Sequence, residues 1–217
     1  MKIILYTIIT TFSILFFKEL ELGLFNLGLS WTLSKATPYL LSILLGALLS
    51  ITLYKSITLK KVFKVNLSIL ILLLPFVISF ALHPIYQGDF SKNGKVLSQN
   101  SYNENTIDDG LMVITIPNCP YCYEAIGRLK TLALRNPELN IEYVVCSSDS
   151  NSITTYKEEI DGLFKIRIAK DRNELARVAD GSFPAFVYVK NGKQTYKWSN
   201  SQFGVRALDL IEELAGK

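Results

Sequence analysis

Cys119 and Cys122 stand three positions apart in a stretch that also holds Pro117, Pro120 and Tyr121. Two thiols at this spacing can exchange with disulfides, and the attacking species in that exchange is a thiolate. The residues around the pair bear on which sulfur ionises. Leu111 to Ile116 is apolar with strand-forming types, and a helical pattern runs from Tyr123 to Leu134. The pair therefore falls where a strand hands over to the first turn of a helix. Unpaired N–H groups and the positive dipole end at that turn favour an anion. Pro120 suits the first helical position, where its missing N–H costs nothing, and Tyr121 follows it in the same turn. Cys119 is then the nucleophile, and Cys122 is the thiol that resolves a mixed disulfide formed on it.

Other chemistry is open to the same pair. Two cysteines can be half of a zinc site, but tetrahedral zinc takes four ligands. Outside the pair the chain offers only Cys146 and His83 as sulfur or imidazole donors. A structural disulfide is a second alternative. A non-enzymatic thiol metallochaperone binding copper(I) through the two sulfurs, or an interaction domain, is a third, because soft thiolates select that ion. With two methionines and one histidine in the chain, copper-binding surroundings are sparse, and no metal ligand set is assigned. Cys146, at the end of an apolar run, reads as a small buried residue, with pairing to another protein as its alternative.

About 60 residues beyond the dithiol the chain reads Gly181-Ser-Phe-Pro-Ala-Phe-Val-Tyr-Val-Lys-Asn-Gly-Lys193. By itself Pro184 is a strand-entry proline, and Asn191-Gly192 is a hairpin turn. The strand-to-helix dithiol and this proline-led hairpin together resemble the thioredoxin superfamily, from roughly Asp108 to the end. The resemblance implies that Pro184 is cis, that it lies against the dithiol, and that Phe183 and Pro184 offer backbone to a substrate strand. The chain also departs from the family. Six residues before the first cysteine, where many thioredoxins carry a buried acid, stands Val113. Pro117 replaces an aromatic-rich approach. The Pro-Tyr dipeptide matches glutaredoxins, but their glutathione-holding segment is not recognisable between Trp198 and Gly204.

The elements that position these residues follow from periodicity. Strands are expected at Leu111 to Ile116, Ile141 to Cys146 and Lys165 to Ile168, and a hairpin at Ala185 to Lys190 and Gln194 to Trp198. Helices are expected at Pro120 to Arg135, Thr154 to Ile160, Arg172 to Ala179 and Val205 to Leu214. No internal repeat is present.

The amino-terminal part is of another kind. Three apolar runs, Ile3 to Phe17, Ala36 to Tyr54 and Val65 to Leu82, are read as membrane spans. A span needs about 20 apolar residues, with about 17 as the lower limit. The first run is short and relies on Lys18 reaching the interface; a signal segment is its alternative, although Phe16-Phe17-Lys18 offers no small-residue cleavage site. The loop between the second and third runs carries Lys55, Lys60, Lys61 and Lys64 without an acid. By the positive-inside rule this loop is cytoplasmic and the domain after the third span is outside. The net charge of +4 belongs to these loops, because from Asp108 onward 14 basic face 15 acidic residues. The globular half has no nucleic-acid footprint.

The expected chain is therefore α/β: a thioredoxin-like mixed sheet flanked by helices over 110–217, a membrane anchor over 1–82, and a polar linker over 83–109. The expected activity is thiol-disulfide exchange at Cys119-Pro120-Tyr121-Cys122, which calls for no cofactor. The expected partners are protein thiols or disulfides, a separate redox protein that recharges the dithiol (no cysteine lies in a span), and the lipid bilayer. The resemblance implies a bacterial inner-membrane location with the carboxy-terminal domain extracytoplasmic.

Overall fold

The computed structural model describes residues 2–90, 95–96 and 107–216. The chain divides into two compact units, Met1–Ile85 and Tyr86–Lys217.

The first unit is helical: α1 (Lys2–Leu15), α2 (Phe17–Asn26), α3 (Trp31–Ser56) and α4 (Lys61–Leu82). Helices α3 and α4 are each long and apolar enough to cross a membrane. Helices α1 and α2 reach that length only together, and the pair is bent by 73°. The first run, expected as one straight span to Phe17, breaks at Phe16 instead, just before Lys18, Glu19 and Glu21. The two longer spans begin earlier than expected, α3 at Trp31 and α4 at Lys61. The Ser30 hydroxyl caps α3 by accepting the Leu33 N–H at 3.3 Å, which brings its start forward.

Packing within this unit uses small residues. Ser34, Pro38, Ser42, Gly46 and Ser50 recur every fourth position along the buried stripe of α3. A Cβ on Gly46 would meet the Leu72 carbonyl oxygen of α4 at 2.3 Å, so the two backbones approach too closely for any side chain there. Ser42 Oγ and Ser79 Oγ lie 2.9 Å apart, and Ser50 Oγ donates to the Ser68 carbonyl at 2.8 Å. Close approach through small residues with hydroxyl bridges is how helices associate where lipid removes the hydrophobic drive. Leu40, Leu44, Leu48 and Ile51 remain exposed on the outer face of α3. The unit thus carries two helices with the length and composition of membrane spans, packed through small residues.

The second unit begins with α5 (Gln87–Phe90) and β1 (Lys95–Val96), both inside the stretch expected to be a polar linker; 91–94 and 97–106 of that stretch lie outside the described residues. The rest follows the expected order closely: β2 (Gly110–Thr115), α6 (Pro120–Arg135), β3 (Ile141–Val145), α7 (Thr154–Ile160), β4 (Lys165–Ile168), α8 (Arg172–Val178), β5 (Ala185–Lys190), β6 (Lys193–Ser199) and α9 (Val205–Ala215). One six-stranded sheet runs β1-β6-β5-β2-β3-β4. Strands β2, β3 and β4 are parallel, and β5, β6 and β1 join antiparallel. A mixed sheet flanked by helices is the arrangement expected from the sequence.

All six residues of β2 are buried, as a central strand covered on both faces requires. On one face Met112, Ile114, Val144, Ala185 and Val187 pack with Leu175 and Ala179 at α8. The alternate residues Val113, Tyr143 and Phe186 share one row across the sheet. On that second face the Phe186 and Phe203 rings stack at 3.5 Å, and Arg135 of α6 pairs with Glu212 of α9 at 2.9 Å.

Helix α5 docks at the start of α9. The Asp89 carboxylate accepts the Val205 N–H at 3.3 Å and the Tyr86 N–H at 3.0 Å. A Cβ on Gly204 would meet the Gly88 carbonyl carbon at 2.3 Å. The φ of Gly204 is −119°, so an alanine there suits the backbone and fails only on space. Gly204→Ala should therefore undock α5 and lower the stability of this unit by about 1–3 kcal/mol. Urea denaturation followed by tryptophan fluorescence reads this, and an unchanged midpoint contradicts the close approach.

Candidate functional site

Strand β2 ends at Thr115, and the chain leaves its carboxy-terminal end through Ile116, Pro117 and Asn118. Asn118 takes a left-handed φ of 55°, a conformation asparagine tolerates better than most residues. Cys119 follows as the N-cap of α6, with Pro120 in the first turn as expected. The Cys119 sulfur accepts the Cys122 N–H at 3.2 Å, while the Cys119 carbonyl accepts the Cys122 and Tyr123 N–H groups at 3.1 and 3.2 Å. The sulfur thus fills a capping place usually held by a side-chain oxygen.

Cys119 and Cys122 form a disulfide with their Cα atoms 5.2 Å apart. Cys119 keeps 7% of its surface exposed and Cys122 none, whereas Tyr121 between them is 61% exposed. Both cysteines are buried, and the one at the N-cap is the more exposed of the two.

Pro184 is buried and follows Phe183 through a cis peptide bond. Ala185 pairs with Ile114, so the Phe183–Pro184 peptide lies beside the end of β2 from which the dithiol loop departs. Phe183 is half-buried against the core on the α8 side. The preceding turn is held by Lys197 of β6, whose Nζ donates to the Val178 carbonyl at 2.7 Å and to the Asp180 carboxylate. Asp180 and Gly181, the turn residues, both have positive φ. Lys197 is a residue that sequence reasoning missed.

Two tyrosines were missed as well. Tyr143 of β3 donates its hydroxyl to the Cys122 carbonyl at 2.7 Å, and Tyr156 of α7 donates to the Ile116 carbonyl at 2.7 Å. Their rings are 5.3 Å apart, and Tyr156 stacks on Tyr123 of the dithiol helix at 4.4 Å. Burial holds the Tyr143 phenol well above the usual phenol range, with the nearby Tyr156 and Tyr123 adding to the rise and a Thr115 hydrogen bond opposing it. Burial also pushes Tyr156 up to about 12, against a backbone hydrogen bond from Cys119. Both phenols are neutral donors at any ordinary pH. Val113, at the place where many thioredoxins carry an acid, is buried between Tyr143 and Phe186 in register.

Cys146 lies just past β3, its N–H donating to the Thr115 carbonyl at 2.8 Å. Its side chain packs on the α8 side, while Tyr143, which reaches Cys122, points to the other. The sheet therefore separates the third thiol from the dithiol. Among the described residues no three His, Cys, Asp or Glu side chains gather as metal ligands.

No protein-family model and no curated protein matches the chain. It is similar in structure to a secreted disulfide oxidoreductase of Mycobacterium tuberculosis, at 16% identity and a TM-score of 0.38, over 50% of this chain and 78% of that one. A second similarity is to the thioredoxin domain of a thiol-disulfide oxidoreductase from Bacteroides vulgatus, at 16% identity and 0.40, over 57% and 92%. A third is to a thioredoxin-like protein from Bacteroides caccae, at 14% identity and 0.39, over 77% and 61%.

Burial pushes the Cys146 thiol up to about 11, with the Arg167 charge pulling it down. At pH 8 about one Cys146 in a thousand is then a thiolate, and alkylation of the oxidised protein should rise about tenfold per pH unit until the pH nears that value. Mass spectrometry after iodoacetamide treatment follows this. Labelling at pH 8 as fast as a free thiol contradicts the half-buried placement.

Proposed function

We propose that the chain is a membrane-tethered, extracytoplasmic thiol-disulfide oxidoreductase working through Cys119-Pro120-Tyr121-Cys122. The observation that carries this reading is the asymmetric dithiol at the start of α6, with Cys119 capping the helix and partly exposed, and Cys122 sealed beneath it. After reduction the same N–H that meets the Cys119 sulfur favours its thiolate, as does the dipole of a 16-residue helix.

The chemistry then runs in two displacements. The Cys119 thiolate attacks one sulfur of a substrate disulfide, forming a mixed disulfide, and the other substrate sulfur leaves as a thiolate that takes a proton from water. Cys122, losing its proton, attacks the Cys119 sulfur and releases the second substrate thiol. The substrate disulfide has gained two electrons and two protons, and the dithiol has become the disulfide. Substrate oxidation is the same path reversed, and the direction follows from the reduction potential relative to the compartment.

Phe183 and Pro184 serve as the substrate-binding edge in this proposal, because the Phe183 peptide lies outside the β5 ladder beside the dithiol loop. Protein thiols or disulfides are the substrates, and a separate redox protein recharges the dithiol. The lysine-rich loop between α3 and α4 supports an extracytoplasmic domain on a bacterial inner membrane.

Cys122→Ser should accumulate mixed disulfides with substrate proteins, visible on non-reducing gels, and Cys119→Ser should accumulate none. Insulin reduction or thiol oxidation should vanish in both. Selective alkylation of Cys122 at neutral pH in the reduced protein would make Cys122, rather than Cys119, the nucleophile. A periplasm-active reporter fused after Leu82 should be active and one fused after Lys60 silent; the opposite pattern puts the dithiol in the cytoplasm.

A further inference from the structure

We infer that Tyr143 and Tyr156 are positioning residues that set the reactivity of the dithiol, because their hydroxyls hold the peptide carbonyls on either side of it. The inference rests on the oxidoreductase reading for its purpose, and on geometry for its content.

The two phenols come from different elements, β3 and α7, and converge on one loop. Tyr156 reaches the Ile116 carbonyl where the chain has left the β2 ladder, and Tyr143 reaches the carbonyl of Cys122 itself, both at 2.7 Å. Between these two anchor points lie Pro117, which has no N–H, and the left-handed Asn118. Few of the loop's own backbone groups can brace it, so the buried hydroxyls supply the bracing from outside.

The hydroxyls also act electrostatically. Each phenolic proton offsets the partial negative charge of a carbonyl belonging to the dithiol loop, close to where the Cys119 thiolate charge develops. In a buried site such a neutralisation is poorly screened. Phenylalanine in either place would keep the stack among Tyr123, Tyr156 and Tyr143 but take the phenolic proton away from the carbonyl. The thiolate would then be less stable and the reduced form disfavoured. A bland core role for these rings predicts an effect on stability alone.

The test uses the full-length chain in detergent, with Tyr143→Phe and Tyr156→Phe made separately. Tyr188→Phe is the control, since Tyr188 is buried and pairs with Leu111 at the opposite end of β2. Alkylation of reduced Cys119 against pH, the redox equilibrium with glutathione, and thermal melting are read for each. In Tyr143→Phe and Tyr156→Phe the Cys119 profile should move to higher pH. Labelling at neutral pH should slow about fivefold, and the equilibrium should shift toward the disulfide by a similar factor, the size of one net hydrogen bond. Profiles and equilibria that coincide with wild type in both variants overturn the inference, as does an equal shift in Tyr188→Phe. A wild-type chain inert toward insulin disulfides overturns the oxidoreductase reading instead, and the alkylation profiles then still decide the inference.

Discussion

The first turn of α6 has backbone N–H groups that no helix can satisfy from within, and a sulfur answers one of them. Cys119 fills the capping place, so the proposed nucleophile is held by the same need that starts the helix. Other parts of the second unit serve that arrangement. Strand β2, buried along its length, delivers the loop to a fixed point; Pro120 fits a turn that asks for no donor; the sheet register brings the Phe183–Pro184 peptide alongside.

A second consequence of the sheet is segregation. Residues alternate across it, so Cys146 falls on the α8 side although its N–H bonds Thr115, the last residue of the strand that leads to the dithiol. A third thiol on the dithiol side would compete for the mixed disulfide. Its placement behind the sheet, with ionisation suppressed by burial, leaves two sulfurs to the proposed exchange. The anchor obeys a different rule. Its helices meet through Ser42, Gly46, Ser50 and Ser79 and leave leucines outward, the reverse of the carboxy-terminal unit, where leucines fill the core.

The parts of this architecture that were legible in the sequence are those with a local cause. The dithiol helix announces itself by the strand before it, Pro120 and the helical pattern from Tyr123; the β5–β6 hairpin by Asn191-Gly192, both with positive φ; α7 by its own periodicity. What escaped depends on partners distant along the chain. Helix α5 and strand β1 sit in polar surroundings that read as linker, and contacts such as Asp89 with Val205 and Gly88 with Gly204 give α5 its place. The alternation in Ile141 to Val145 marks the ring of Tyr143 as buried, but nothing in it says that the hydroxyl meets a carbonyl 21 residues away. The bend at Phe16 was hidden because apolar composition alone reports length and not direction.

The docking of α5 and β1 changes where the folded domain begins. Only His83, Pro84 and Ile85 separate the end of α4 from residues that belong to the carboxy-terminal fold. A soluble fragment cut at Asp108, where the composition turns globular, would lose the carboxylate that meets α9 and uncover the edge of β6 that β1 pairs. An uncovered edge strand is a template for another chain to pair with. Helix α5 and strand β1 are thus part of the fold as much as of the connection, and a fragment meant to stay monomeric has to keep them.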